Sequence, residues 1–280
     1  MKLSFIIVNY RSRKYLKQCI ASILEKVLQV DFEIIIVNND EEKINELESV
    51  SKDCLEIFES KEINKPNKKI NIIEVNENVG FSRANNIGAS RGQGEYFCFL
   101  NPDTKIISKN IESLIMKFDG DSAIGAIGPK ILKNGNIQLW SAGVDMTWDE
   151  ILRGKVGMAK SEKIWQSNKE QDVDWVSGAS LFINKDVFSE VGGFDEKFFL
   201  YYEDVDLCKR IKNINKKIIY CPLFEIEHLE GKSSNKKYKQ KKEYFKSQEY
   251  YYNKWFSWKV CYFFKFFRFL YLLGYKIKYD

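Results

Sequence analysis

The chain has 280 residues, 44% of them hydrophobic and 30% charged, with a net charge of +5. That suffices for one sizeable core, or a domain with an appendage. Acids nearly balance bases, which argues against a dedicated nucleic-acid binder and leaves room only for a local basic patch.

Leu3 to Val8 is a continuous apolar run, followed by Tyr15, Cys19, Ile20, Ile23, Leu24 and Val27 at the spacing of one helical face, so strand then helix is predicted. The alternation repeats with Phe32 to Val37, a polar helical stretch from Glu41 to Ile57, Ile70 to Val75, a helix near Ser82 to Ser90, and Tyr96 to Leu100. Repeated βα units imply an α/β fold with a parallel sheet flanked by helices. Three of the strands stop at Asn9, Asn38 and Asn101, and the carboxyl ends of such strands are where open α/β sheets bind ligands. A dinucleotide-binding fold is disfavoured: Gly88, Gly92 and Gly94 precede a strand instead of opening a helix, and the loop Asn9 to Lys14 has no glycine.

After Phe118 come a turn at Asp119 to Asp121, a small apolar run from Ala123 to Ile131, and a hairpin-like turn signal at Lys133 to Asn136. Ser141 to Asp174 has weak periodicity and reads as a long excursion bordering a site, its tryptophans arguing against disorder. Asp174 to Ile183 reads as a strand and Lys185 to Val191 as a helix. Then GGFDEKFFLYYEDVDLCKR sets Glu203, Asp204 and Asp206 beside an aromatic run. Desolvation there would raise a carboxylate's proton affinity toward that of a working base, while acids in a first helical turn serve equally well to complement the helix dipole.

Six cysteines, Cys19, Cys54, Cys98, Cys208, Cys221 and Cys261, form no CxxC pair and several lie in apolar stretches, as reduced thiols of a cytoplasmic protein would. The N-terminal residues enter a strand at once, without the pattern of a signal peptide.

Four segments in order, NVGFSRANNIGA (Asn78 to Ala89), FLNPDT, GASLFI and the acidic segment, closely resemble family 2 glycosyltransferases of the GT-A fold, especially the inverting, rhamnosyltransferase-like branch of bacterial surface polysaccharide synthesis. The resemblance covers about Lys2 to Ser234 and implies a catalytic domain over residues 1–234, with 235–280 as an extension. It implies a nucleotide-diphosphate-sugar donor, dTDP- or UDP-linked, and a glycan or lipid-linked acceptor. The first two strand ends would hold the base and ribose through Val8, Asn9, Tyr10, Arg11, Asn38, Asn39 and Asp40. Phe81, Arg83, Ala84 and Asn85 would border nucleotide and diphosphate, with Arg83 able to pair a phosphate oxygen or, alternatively, a solvated helix residue.

The same resemblance implies a Mn²⁺ or Mg²⁺ site. Asn101, Pro102 and Asp103 match the family's acidic triplet, but its first position is Asn here, as is position 38 where the family usually has Asp. Asp103 would then carry most of the metal contact. His228, the chain's single histidine, matches the family's late His motif as a further ligand, with Lys232, Ser233 and Ser234 as diphosphate donors. Asp204 aligns with the family's base. Glu203 would orient acceptor or base, and Asp206 would support the helix. Trp175, Ser177 and Gly178 would lie beneath sugar and acceptor, Trp175 serving equally well as plain core. A nucleotide-sugar-binding module without turnover is the alternative that Asn38 and Asn101 motivate.

From Tyr250 the chain becomes aromatic, punctuated by Lys254, Lys259, Lys265, Arg268 and Lys276. Internal charges make a spanning helix improbable. Aromatic bulk with bases suits an interfacial helix at the cytoplasmic membrane face, and docking on the catalytic domain or on a second copy is the alternative.

Overall fold

The computed structural model describes residues 1–41, 69–155, 157–229, 237–262 and 265. Of the expected helix over Glu41 to Ile57 only Glu41 is described, and Lys232, Ser233, Ser234, Arg268 and Lys276 lie outside the described residues.

The apolar runs form β1 (Leu3–Asn9), β2 (Phe32–Asn38), β3 (Lys69–Glu74) and β4 (Tyr96–Leu100), joined in parallel in the order β3-β2-β1-β4. Burial of β1 and β2 along their whole length explains their unbroken Ile and Val content, because a sheet covered on both faces has no polar side. Helix α1 (Arg13–Lys26) covers one face with Leu16, Cys19, Ile20 and Ile23, and α2 (Phe81–Ala89) lies on the other.

The second half departs from a purely parallel sheet. Beyond β4 come β11 (Ser180–Asn184), which is antiparallel to both β4 and β6 (Ile124–Lys133), then β12 (Lys217–His228), parallel to β6, and β5 (Thr104–Ile106), antiparallel to β12. The turn signal at Lys133 to Asn136 becomes a hairpin from β6 to β7 (Asn136–Ile137). Its two turn residues, Asn134 and Gly135, have φ of 51° and 75°, the left-handed backbone that a tight hairpin needs and that Asn and Gly supply at least cost.

The strand expected over Asp174 to Ile183 is broken. β10 (Trp175–Val176) leaves the main sheet to pair with β8 (Ala142–Gly143), and the chain kinks through Ser177, Gly178 and Ala179 before β11. The excursion from Ser141 to Asp174 is more ordered than its periodicity suggests, with helices α4 (Trp148–Lys155) and α5 (Glu162–Trp165) and strand β9 (Gln171–Val173), after α3 (Ile111–Gly120). It is held by buried polar bonds as well as apolar side chains: Glu150, 2% exposed, accepts from both the backbone N–H and the hydroxyl of Ser161.

Helix α6 (Lys185–Glu190) is capped by Asn184, whose Oδ1 accepts from the backbone of Asp186 and Val187. The acidic segment opens α7 (Glu203–Asn213), and the extension forms α8 (Lys237–Trp255). Among the described residues α8 docks on the body of the protein. Tyr251 and Tyr252 are fully buried, and their hydroxyls donate to Asp145 Oδ1 and to the Met146 carbonyl. This is the docking alternative for the first part of the extension, and no helix among the described residues is long and apolar enough to cross a membrane.

Candidate active site

Asp204 lies in the first turn of α7, and its position is set by backbone from elsewhere. Gly178 donates its N–H to Asp204 Oδ2 at 2.8 Å, and Val205 donates to Oδ1 at 2.8 Å. The kink at Ser177 to Ala179 is therefore what brings Gly178 to the carboxylate. A side chain at Gly178 would lie 3.7 Å from the Phe81 ring, so Phe81 borders the same spot. Burial raises the proton affinity of Asp204 above the ordinary carboxylate range, partly offset by the N–H groups of Gly178 and Val205.

Glu203 is different in kind. It is 5% exposed, its Oε2 has no hydrogen-bond partner, and burial followed by the adjacent Asp204 holds its carboxyl well above the usual range. Just before it, Tyr201 and Tyr202 take φ of 71° and 67°, two consecutive non-glycine residues in left-handed backbone. Such strain persists only where the surroundings over-determine it. Here Tyr202 is fixed by Gln248 and Tyr244 of α8, at 2.6 and 3.2 Å from its hydroxyl. Asp206 is fully buried and accepts from Arg210 on its own helix and from Lys254 and Trp255 on α8, each at 2.8 Å. These bonds tie α7 to α8.

The second group gathers at the ends of β4 and β12. Thr104 donates its backbone N–H and its hydroxyl to the Asn101 carbonyl, at 3.2 and 2.6 Å, closing the turn through Pro102 and Asp103. β12 ends alongside, with His228 in register with Thr104. His228 Nε2 lies 3.1 Å from Asp103 Oδ1 and 3.5 Å from the Asn101 amide. On the far side of the ring, Nδ1 meets Gln138 Oε1 at 2.9 Å. Asn101 N–H donates to the Ala179 carbonyl at 3.0 Å, tying this turn to the kink that holds Asp204. Among the described residues no cluster of three or more histidine, cysteine or carboxylate side chains gathers. The donor set of one carboxylate, one imidazole nitrogen and one amide nonetheless suits a divalent cation with open positions for phosphate oxygens.

The ends of β1 and β2 carry a hydrogen-bonded row. Ser12 donates to Asn9 Oδ1 at 3.1 Å, Asn9 to Asn38 Oδ1 at 3.0 Å, and Asn38 to Glu74 Oε2 at 2.6 Å. Asn9 and Asn38 are fully buried. Asn39 accepts from the Val79 N–H and donates to Asn78 Oδ1 and the Gly80 carbonyl, so its amide holds the loop into α2. Asp40 Oδ2 accepts from the Arg11 N–H at 3.1 Å, where Arg11 sits at φ 52° with its guanidinium against the Tyr10 ring. Val8 is buried beneath this corner. Asn85 Nδ2 bonds within α2 to the Phe81 carbonyl, and Arg83 is exposed and 3.8 Å from Glu196.

Gly80 closes the assembly. Its φ is 88°, and a Cβ there would fall 2.7 Å from the Phe199 ring, while Phe81 N–H donates to the Phe199 carbonyl at 2.7 Å. The loop before α2 thus packs on the acidic segment. Trp175, by contrast, is 3% exposed and donates to the Val144 carbonyl at 2.9 Å, and Ser177 Oγ accepts from the Ala179 N–H. Sequence reasoning missed Gln138, Glu74 and the α8 side chains. Glu74 carried a usable signal, a polar residue near the end of an apolar strand; Gln138 carried none beyond its nearness to a turn.

The sequence profile described as glycosyl transferase family 2 matches residues 4–188. The chain is 26% identical over 192 residues to an N-acetylglucosaminyl-diphospho-decaprenol L-rhamnosyltransferase of Mycobacterium tuberculosis, covering 60% of this chain and 61% of that one. It is 24% identical over 230 residues to the low-salt glycan biosynthesis hexosyltransferase Agl10 of Haloferax volcanii, covering 81% and 66%. Among solved structures, GalNAc-T7 with UDP, GalNAc and Mn²⁺ superposes with a TM-score of 0.59 at 17% identity, over 82% of this chain and 45% of that one. The chain thus spans less than two thirds of the length of these proteins. The fold is GT-A, and the chain belongs to glycosyl transferase family 2.

Proposed function

We propose that the chain is an inverting glycosyltransferase that moves a sugar, rhamnose first among the candidates, from a dTDP- or UDP-linked donor to a glycan or lipid-linked acceptor in surface polysaccharide synthesis. The observation that carries this reading is Asp204: a carboxylate of raised proton affinity, oriented by two backbone N–H groups and tied through Ala179 to the Asn101–Asp103 turn. The relatives named as rhamnosyl- and hexosyltransferases support the class of sugar, and GalNAc-T7 with UDP supports the class of donor.

In this reading the acceptor hydroxyl attacks the anomeric carbon from the face opposite the leaving group. Asp204 takes the hydroxyl proton as the new C–O bond forms, and the bond from that carbon to the diphosphate breaks, its electrons leaving on the nucleotide diphosphate. Glu203, buried beside Asp204 and raised in proton affinity chiefly by that burial, would orient the acceptor or the base. Asn9, Asn38 and Asp40 would shape the base and ribose corner, and Phe81 would border the nucleotide and diphosphate. Asp103 and His228, with the Asn101 amide, would hold Mn²⁺ or Mg²⁺, whose charge neutralises a diphosphate leaving group.

Release of nucleotide diphosphate by purified protein, measured over a panel of nucleotide sugars with Mn²⁺, tests the reading. Turnover of none, with donor binding retained, would favour the binding module that Asn101 and Asn38 motivate. Loss of turnover in EDTA and its return with Mn²⁺ test the metal.

Residues 1–234 would form the catalytic part and 235–280 an extension. Trp258 and Tyr262, 74% and 69% exposed and four apart, lie beside exposed Lys259 and Lys265, which fits peripheral contact with anionic lipid at the cytoplasmic membrane face. Unchanged liposome association after removal of residues 257–280 would sink that assignment.

A further inference from the structure

The hairpin β6–β7 brings to the candidate cation site a residue with no place in the reading so far. Gln138 follows β7, its backbone N–H donates to the Ile131 carbonyl at 2.9 Å, and its side chain reaches over to the end of β12. There Oε1 lies 2.9 Å from His228 Nδ1. As an acceptor, this amide oxygen stabilises a proton on Nδ1 and competes with the Asp103 carboxylate, which would accept one from Nε2. The other ring nitrogen, Nε2, faces Asp103 Oδ1 at 3.1 Å and the Asn101 amide at 3.5 Å.

The consequence is a matter of which nitrogen is free. A neutral imidazole has one protonated nitrogen and one lone pair. With the proton held at Nδ1, the lone pair is at Nε2, on the side where Asp103 supplies its carboxylate. Were Nδ1 without an acceptor, the proton would move to Nε2 and bond to Asp103, and both groups would turn away from cation binding. Partners of this kind fix the ring's tautomer and orientation in metal sites generally.

We infer that Gln138 is a positioning residue that holds His228 in its Nδ1–H form and so directs the Nε2 lone pair into the cation site beside Asp103. The inference rests on the proposal that Asp103 and His228 hold a divalent ion, and its test separates the two. Because the chain has one histidine, the ¹⁵N spectrum of histidine-labelled full-length protein reports that ring alone. A protonated Nδ1 is expected in the wild type, with and without Mg²⁺, and its loss or averaging in Gln138→Leu. An unprotonated Nδ1 in the wild type overturns the inference whatever the metal does.

Mn²⁺ binding by calorimetry is the second arm. Gln138→Leu is expected to weaken it roughly 10–100-fold, the usual effect of losing such a partner. Gln138→Glu, which keeps an acceptor oxygen, should retain both the Nδ1 proton and most of the affinity. Equal Mn²⁺ affinity in wild type and Gln138→Leu, with the melting temperatures matched, overturns the inference while leaving the metal reading intact. Absence of Mn²⁺ binding by the wild type overturns the metal reading itself, and with it the purpose assigned to Gln138.

Discussion

Gly178 and Asp204, 26 residues apart, share a 2.8 Å hydrogen bond in which the kink between two short strands supplies the N–H and the acidic helix supplies the carboxylate. The same kink receives the Asn101 N–H through the Ala179 carbonyl. Two loops that could move separately are thus tied to one backbone feature, and the Asp204 carboxylate is held by backbone N–H groups, which do not titrate.

Asp204→Asn keeps the size of the side chain and removes the proton acceptor. Turnover is expected to fall roughly 10²–10⁴-fold, the range for a lost general base. Donor affinity should hold, because the Asn amide oxygen can still accept from the Gly178 N–H and the local shape is kept. A variant retaining more than a tenth of wild-type kcat would exclude Asp204 as the base.

The pH dependence follows from the direction of the shift. Asp204 must be ionised to accept a proton, and burial raises its proton affinity. The rate should therefore climb with pH through an acid limb lying above the ordinary carboxylate range of about 4. A profile flat from pH 5 to 8, with chemistry shown to be rate-limiting, would contradict the assignment.

Glu203 gives a stability prediction of definite sign. Its folded-state proton affinity is raised, chiefly by burial. Below the ordinary carboxylate range the group is neutral folded or unfolded and costs nothing; as pH rises, the unfolded chain ionises while the folded one must keep its proton, and stability is lost up to the folded value. Glu203→Gln removes this penalty. The variant should melt at the same temperature as wild type at low pH and above it at neutral pH. A variant less stable at neutral pH than at low pH, relative to wild type, would mean that Glu203 is ionised in the fold.

The first half of the sheet was legible because β1, β2 and β4 are buried on both faces and therefore read as unbroken apolar runs. The break at Ser177 to Ala179 was not. Trp175 to Ile183 is mostly apolar and small, with Ser177 and Ser180 as its polar residues, and only pairing of Trp175 and Val176 with Gly143 and Ala142, more than thirty residues away in the chain, shows that it is two strands. The excursion was opaque for a related reason: its order depends on buried polar bonds such as Glu150 to Ser161, which leave no hydrophobic period. Asp204 and His228 stand out in the sequence by motif, whereas the contacts of Gln138 with His228 and of Lys254 with Asp206 exist only in the tertiary fold.

Helix α8 supports α7. Lys254 and Trp255 of α8 both bond to buried Asp206, two residues from Asp204, and Gln248 fixes Tyr202 in the strained turn before it. Removal of residues from Lys237 onward would leave Asp206 with Arg210 alone and expose the apolar face beneath Tyr251 and Tyr252. Such a truncation should aggregate or lose cooperative unfolding. Within the full chain, Tyr252→Ala should cost about 3–5 kcal/mol, the range for buried aromatic side chains. A truncated protein with wild-type melting temperature would show that α8 is dispensable to the fold.

Asn38, where the family usually has Asp, is explained by Glu74. The two face each other across β2 and β3, and Asn38 Nδ2 donates to Glu74 Oε2 at 2.6 Å. Restoring Asp at this position would set two carboxylates in contact, one of them fully buried, and replace a charge-assisted hydrogen bond with like-charge repulsion. Asn38→Asp alone is therefore expected to destabilise the fold by about 1–3 kcal/mol. Glu74→Gln in the same chain supplies an amide that can donate to the new carboxylate, so the double variant should recover most of that loss, with a coupling energy of roughly 0.5–3 kcal/mol for residues in contact. Urea unfolding of the two single variants and the double variant measures the coupling, and strict additivity would show that Glu74 does not determine the choice of Asn at position 38.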